Sequence, residues 1–480
     1  MDLRYKVIHG LKWMTISKFC AQIFSWVATF VIIRLLTQED YGIVAIVSAT
    51  FEIITIIATH GFSSSLIKHQ SKSHKLSSQI FTTSLLINVL LAMLIMYSAS
   101  YISDFYGSTE LADVIVLVAW FIPINSLLIV PSAYLDIDMN FKSRALCDTF
   151  AAFINTIVAL TLAFYGFGYW ALIIGTISNL VCRSVLYLYV SDAKFSLTFN
   201  FSGCKETLIF AYKLQLNSIL WFSYNKLDTF LVGRLLGLQK LGIYNIGLEI
   251  ASIPMVKAAS IINQIGFSAF SSLKGDMVKA NGYLKKALFS SSLIIFPVFL
   301  GMASVSNEVI LLLIGEKWAL AGPVMAIFCW AFPFRMLNMV LQNYTNGMGY
   351  AGFALKNSFV ISMILICAII IGAQYGITET ALAWVTGFTL AFTIVLLRSA
   401  SILKIPFKIL LCWMVPFLIS VGMFLLLYFI ETIYLVDQSL IISLVAKMLL
   451  GAIYIGATYI IFYKKYLVEY YISKKGNNPS

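Results

Sequence analysis

Charge is what this chain has least of. Only 11% of its 480 residues are Asp, Glu, Lys or Arg, against 60% that are hydrophobic, and the mean hydropathy is +0.90. A water-soluble fold of this length could not hide so much apolar surface behind so few charges, which excludes an ordinary globular enzyme and indicates a polytopic membrane protein. Cysteines are few and scattered. Cys20, Cys147, Cys182, Cys204, Cys329, Cys367 and Cys412 lie singly, without the paired spacing of a zinc site or a disulfide framework, and read as packing residues. A phosphate-cradling GxxxxGK[ST] loop is missing, which argues against direct ATP drive. A small-residue cleavage site is also missing after the first apolar run, so that run reads as a retained span.

What is present is apolar sequence in long blocks. Runs that suffice to cross about 30 Å of hydrocarbon at about 1.5 Å per residue number about 14. They lie near 12–36, 41–62, 79–101, 111–133, 147–166, 169–191, 207–236, 241–262, 283–303, 319–341, 354–376, 379–400, 408–430 and 440–463. The expected class is all-α.

The net charge of +12 would suit nucleic acid, but its placement excludes that partner. About 25 of the 33 Lys and Arg fall in the amino terminus, the even-numbered loops and the carboxyl tail, a strong positive-inside signal. Both termini are therefore expected in the cytoplasm. The odd loops are short and acidic, with Glu39, Asp40, Asp104, Glu110, Asp113, Glu308, Glu316, Glu379, Glu431 and Asp437, and leave no room for a large outer catalytic domain.

The chain also repeats itself. TFVIIRLLTQEDYGIVAI at 29–46 and TFLVGRLLGLQKLGIYNI at 229–246 share eight of eighteen residues at an offset of 200. Trp120-x-x-Pro123, Tyr134, Tyr165-Gly166 and Ala171-Leu172 recur 210 residues later as Trp330-x-x-Pro333, Tyr344, Tyr375-Gly376 and Ala381-Leu382. An insertion within 309–318 accounts for the change of offset. Six spans per unit is an even number, so the copies enter from one side and form two parallel six-helix lobes facing a central cavity, the arrangement of a transporter. The expected divisions are an N-terminal lobe at 1–200, a C-terminal lobe at 201–404, two additional helices at 405–466 and a tail at 467–480.

An ionised side chain near the bilayer centre costs roughly 2.5 to 3.5 kcal/mol, so it is expected to face protein or water. Glu52, Lys226, Asp228, Glu249, Lys257, Arg335 and Lys447 are the residues concerned. Asn225 and Asp228 share a helix face, as do Glu249 and Lys257, and such columns suit a wet cleft. Cross-helix pairing that merely fixes the packing is the competing reading. Lys18 and Gln22 extend the wall at its cytoplasmic end, whereas Lys447 is expected to snorkel and Arg34 and Arg234 to serve helix ends. Pro254, Pro297 and Pro333 fall inside spans eight, nine and ten and are candidate hinges.

The opening Leu3-Arg4-x-Lys6-x-Ile8-x-Gly10-x-Lys12-Trp13, the Gln38-Glu39-Asp40-Tyr41-Gly42 turn, Asn225-x-x-Asp228, Gly233-Arg234-x-Leu236-Gly237 and Leu241-Gly242-x-Tyr244-Asn245 carry a resemblance. Phe296-Pro297 and Gly315-Glu316-Lys317-Trp318 extend it. In their order these segments resemble the polysaccharide flippase branch of the multidrug/oligosaccharidyl-lipid/polysaccharide exporter superfamily, nearest in pattern to the exporters of colanic and teichuronic acids. The resemblance implies a bacterial inner-membrane flippase that moves a polyprenyl-pyrophosphate-linked oligosaccharide to the outer leaflet by alternating access. It implies a cationic cavity, no bound cofactor, H+ or Na+ as a coupling ion, and a polysaccharide polymerase and other assembly proteins as partners beside membrane lipids. On that reading Lys226, Lys257 and Arg335 attract the pyrophosphate, Trp221, Tyr224 and Tyr244 stack on sugars, and Glu52, Asp228 or Glu249 takes the coupling ion. A multidrug exporter of the same superfamily is the alternative. A glycosyltransferase or polymerase is disfavoured because the repeat copy of Glu39-Asp40 is Gln239-Lys240, so the acidic pair reads as a helix-end turn.

Overall fold

A computed structural model describes residues 24–69, 72–200, 226–435 and 438–476, with single positions 202, 209, 212 and 222. Among the described residues the chain is helical, and eleven helices are long and apolar enough to cross a membrane. Fourteen spans were expected, and the difference has three sources. The first and seventh expected spans lie partly outside the described residues, leaving helices α1 (Phe24–Leu35) and α8 (226–236). The eighth is α9 (Leu238–Ser271), a 34-residue helix that carries Glu249 and Lys257 and is not among the eleven.

The chain divides into two compact units, Met1–Asn245 and Ile246–Ser480. In the first, α2 (Gln38–His69), α3 (His74–Tyr106), α4 (Glu110–Phe121), α5 (Asn125–Ile137), α6 (Phe141–Phe164) and α7 (Tyr169–Val190) follow one another. Pro123 lies in a 3-10 turn, Ile122–Ile124, that separates α4 from α5. The core here joins Phe62 and Leu66 of α2, Ile80 and Phe81 of α3, and Ile129, Val130 and Tyr134 of α5. The segment after α7 lies along α3: the amides of Ser196 and Thr198 donate to Ser78 Oγ and Thr82 Oγ1, both at 3.0 Å, and Phe195 meets Phe81.

The second unit holds most of α9, then α10 (Met277–Ser304), α11 (Ser306–Leu313), α12 (Ala321–Gly347), α13 (Ala351–Gly372), α14 (Ile377–Ile402), α15 (Phe407–Leu410), α16 (Met414–Ile430) and α17 (Leu440–Gly476). Its core is aromatic. Trp384 stacks on Phe388 at 5.5 Å and meets Phe328 edge-on, while Phe296, Phe334, Phe392, Trp413 and Phe417 form a second cluster. Such ring pairs add stability beyond the area that they bury.

The repeat is visible in the helix starts. Helices beginning at Gln38, His74, Glu110, Phe141 and Tyr169 recur as helices beginning at Leu238, Met277, Ala321, Ala351 and Ile377. The offset widens across α11, the short helix placed where the sequence indicated an insertion; the first unit has only Gly107-Ser108-Thr109 there. One tether is copied as well. Tyr134 of α5 shares a hydrogen bond with Ser77 Oγ near the start of α3 at 3.0 Å, and Tyr344 of α12 bonds Asn281 Oδ1 near the start of α10 at 2.7 Å.

Candidate functional site

One carboxylate serves two helix starts in the first unit. Thr37 caps α2: its Oγ1 accepts the Asp40 amide at 3.1 Å, and Asp40 Oδ2 accepts the Thr37 amide at 2.7 Å, a reciprocal capping box. Asp40 Oδ1 also accepts the Tyr169 amide at 2.9 Å, which satisfies the first turn of α7. Both carboxylate oxygens of Asp40 are engaged at helix ends, so Asp40 is the helix-end device that the sequence suggests.

The polar residues of the spans fall in two sets. In the first unit, Glu52 on α2 faces Lys226 at the start of α8, with Oε2 and Nζ 3.7 Å apart and both side chains partly exposed. Asp228, six residues before Arg234 on the same helix, is 4% exposed and accepts a hydrogen bond from the Tyr244 hydroxyl at 3.3 Å. The Tyr244 ring is fully buried, so its role here is to hold Asp228 rather than to present a stacking face for a sugar. The competing reading of cross-helix pairing therefore describes Glu52 with Lys226 well, whereas Asp228 is steadied by a neutral hydroxyl.

Arg234 lies over the Phe105 ring at 4.7 Å, a helix-end cation–π contact of the structural kind expected for it. Lys18, Gln22, Trp221, Tyr224 and Asn225 lie outside the described residues.

In the second unit, Arg335 on α12 sits between the rings of Phe332 and Trp384, with its guanidinium carbon 5.9 and 5.8 Å from their centroids. A guanidinium over ring faces is held there by cation–π attraction. Glu249 and Lys257 are both exposed on α9, on one face of that helix. Pro254, Pro297 and Pro333 lie inside α9, α10 and α12, which continue on both sides of each proline. Each removes one backbone donor from its helix.

Lys447 is the residue that sequence reasoning placed wrongly. It does not snorkel. It is 1% exposed and joined to Glu308 of α11 and to Glu431 beyond α16. The partners stand 139 and 16 positions away, so no local spacing announces them; the available signal was an isolated lysine in a span together with an acidic residue beside the unmatched insertion.

The sequence and the fold have known counterparts. Residues 31–323 match the polysaccharide biosynthesis protein family. The chain is 23% identical to the lipopolysaccharide biosynthesis protein WzxC of Escherichia coli over 82% of this chain and 79% of that one. It is 25% identical to the teichuronic acid biosynthesis protein TuaB of Bacillus subtilis over 69% of each. Among solved structures, lipid II flippase MurJ in an inward closed conformation superposes with a TM-score of 0.77, at 16% identity over 94% of this chain and all of that one. An inward-facing multidrug MATE transporter superposes with a TM-score of 0.63, at 15% identity over 80% of this chain and 94% of that one. The fold is that of these membrane transporters, and the chain belongs to the polysaccharide biosynthesis protein family.

Proposed function

We propose that this protein flips a polyprenyl-pyrophosphate-linked oligosaccharide from the cytoplasmic to the outer leaflet of a bacterial inner membrane, by alternating access, during surface polysaccharide assembly. The observation that carries the reading is the similarity over most of the chain to proteins named for lipopolysaccharide and teichuronic acid biosynthesis. A third relative, 23% identical over 79% of this chain, is named a succinoglycan biosynthesis transport protein. The role is transport rather than catalysis. The cargo's sugar hydroxyls would each cost several kcal/mol to dehydrate without replacement, and a polar route through the protein removes that barrier.

Lys226, Lys257 and Arg335 supply positive charge for the pyrophosphate, and Arg335 on its two rings is the best oriented of them. With the cell interior negative, outward movement of an anion is favoured by about 2.3 kcal/mol per charge per 100 mV. Potential therefore supplies direction, and protonation or Na+ binding at Asp228, Glu249 or Glu52 resets the empty carrier. Both termini lie in the cytoplasm on this reading, and a polymerase and other assembly proteins receive the product.

The MATE-like fold keeps a multidrug exporter as the second reading. A deletion strain separates the two. Accumulation of lipid-linked repeat units at the inner face, with unchanged sensitivity to cationic toxins, supports the flippase; toxin sensitivity with normal surface polysaccharide overturns it.

A further inference from the structure

Helices α10, α16 and α17 enclose a groove that the flippase reading does not use. Two tethers hold α17 against α10. Lys447 Nζ donates to the Ser304 carbonyl at 2.9 Å, and twelve residues further along α17 the Tyr459 hydroxyl donates to the Leu293 carbonyl at 2.6 Å. The second tether has a cause in the sequence. Pro297 has no N–H, so the Leu293 carbonyl four residues before it lacks the donor its own helix would supply, and Tyr459 takes that place. Along this stretch runs an apolar groove of about 550 Å³, whose lining includes Val298, Gly301, Met423, Met448, Gly451 and Ala452. The two glycines send no side chain into it. Val298 and Met448 are exposed, so the groove opens on the surface that hydrocarbon surrounds. Twelve helical residues rise about 18 Å, close to half of the 30 Å hydrocarbon core, which is the depth of one leaflet.

At the Lys447 end the groove adjoins a polar chamber of about 530 Å³, and Ser304 lines both. The chamber stands at helix ends: the close of α10, the start of α11, the close of α16 and the start of α17 all border it, which places it at a membrane interface. Asn307, Glu308, Phe424, Tyr428, Glu431 and Gln438 are in its wall, and among the described residues no lysine or arginine is. Lys447 lies on the groove side, with its three N–H groups matched by Glu308, Glu431 Oε2 at 2.9 Å and the Ser304 carbonyl. Two carboxylates thus stand against one ammonium. The Glu431 side chain is 38% exposed, and Tyr428 lies one turn before it on α16.

An acidic chamber at the head of an apolar groove of leaflet depth has the outline of a lipid whose head ends in a cation. An anionic head, that of a phosphatidylglycerol or of a polyprenyl phosphate, would bring a negative charge beside Glu431 and meet no cation there. An ammonium head meets a carboxylate at Glu431 and aromatic rings at Phe424 and Tyr428. We propose that this is a binding site for an amine-headed membrane phospholipid of the phosphatidylethanolamine class, with one acyl chain along the groove and the ammonium at Glu431. The phosphate stays at its ordinary depth in the headgroup water. The lipid completes a wall built from α11, α16 and α17, elements that have no copy in the repeat, and it is a resident of the protein rather than cargo. With the orientation given above, the site faces the outer leaflet.

The test is native mass spectrometry of the purified, delipidated full-length protein, titrated with phosphatidylethanolamine and phosphatidylglycerol that carry the same acyl chains, so that only the amine differs. Phosphatidylethanolamine is expected to bind about tenfold more tightly. Glu431→Gln should remove that preference. Ala452→Leu, which puts a larger side chain into the groove, should weaken both lipids by about tenfold, and Gly456→Ala, where a Cβ meets nothing within 4 Å, should leave both unchanged. Should the Ala452 variant fail to fold, Gly301→Leu fills the groove from α10 instead, where a Cβ meets only Met423 Cε at 3.7 Å. The proposal is overturned by equal binding of the two lipids, by a Glu431→Gln protein that keeps the preference, by a filled groove that binds as the unmodified protein does, or by displacement of phosphatidylethanolamine by equimolar polyprenyl phosphate. None of these readouts involves flipping, so failure of the flippase reading and failure of the lipid site are told apart.

Discussion

Gly42 and Gly242, repeat partners at an offset of 200, each lie against the backbone of the other's helix start. A Cβ on Gly42 would stand 2.0 Å from the Leu238 carbonyl oxygen, and one on Gly242 would stand 1.8 Å from the Gln38 carbonyl oxygen. Gln239 Nε2 donates to Gln38 Oε1 at 3.0 Å across the same place. The first turns of α2 and α9 therefore meet backbone to backbone in a near-symmetric crossing that only glycine permits at both positions, the close approach that small residues give helices in a membrane.

Alanine at either glycine has to push backbone apart. Gly42→Ala and Gly242→Ala are each expected to destabilise the protein by about 1–3 kcal/mol, read as a lowered melting temperature in detergent. Gly456→Ala on α17, where a Cβ meets nothing within 4 Å, serves as the control. It should be neutral or stabilising by up to about 1 kcal/mol.

Asp40 closes its own helix and begins another. Asp40→Ala is expected to cost about 0.5–2 kcal/mol, while Asp40→Asn, which keeps an acceptor for the Tyr169 amide, should cost less. Thermal melting of the two variants checks the order.

Glu52 and Lys226 form a half-exposed pair, so its removal should barely change stability, by less than about 1 kcal/mol. Flipping is expected to fall by about tenfold in Lys226→Gln, because a charged contact to the cargo is worth more than the surface pair. Melting and vesicle transport measured on the same preparation separate the two effects.

Trp384 has two tasks, core packing and support of Arg335. Trp384→Ala should cost about 3–5 kcal/mol. Trp384→Phe retains a ring under the guanidinium and should retain most transport, whereas Arg335→Lys keeps the charge but loses the planar stack and should transport poorly.

The sequence disclosed those features that repeat or that follow a local rule. The copied segment at 29–46 and 229–246 shows the repeat, the change of offset marks the place of α11, and the Gln239-Lys240 copy of Glu39-Asp40 marks a helix-end turn; the glycine crossing inside that repeat is visible only in the structure. Side-chain partners across distant helices were illegible for a physical reason. The bonds of Lys447 to Glu308 and of Tyr244 to Asp228 depend on how helices are stacked, which hydropathy does not encode. Burial of Lys447 looked too costly to expect because its two carboxylates sit in what reads as outer loop sequence. Lys226, Lys257 and Arg335 were selected by the cost of charge in hydrocarbon, and that rule identifies unusual residues without saying what they touch.

Reconstituted vesicles give the most direct test of the central claim. Purified protein is placed in vesicles containing a labelled polyprenyl-pyrophosphate oligosaccharide, and the exposure of its sugar at the opposite face is followed with a membrane-impermeant reagent. Exposure is predicted to rise with protein present, to quicken when the potential favours movement of the anion, and to fall in the triple variant Lys226→Gln, Lys257→Gln, Arg335→Gln. A rate equal to that of protein-free vesicles, or a triple variant as fast as the unmodified protein, would contradict the account.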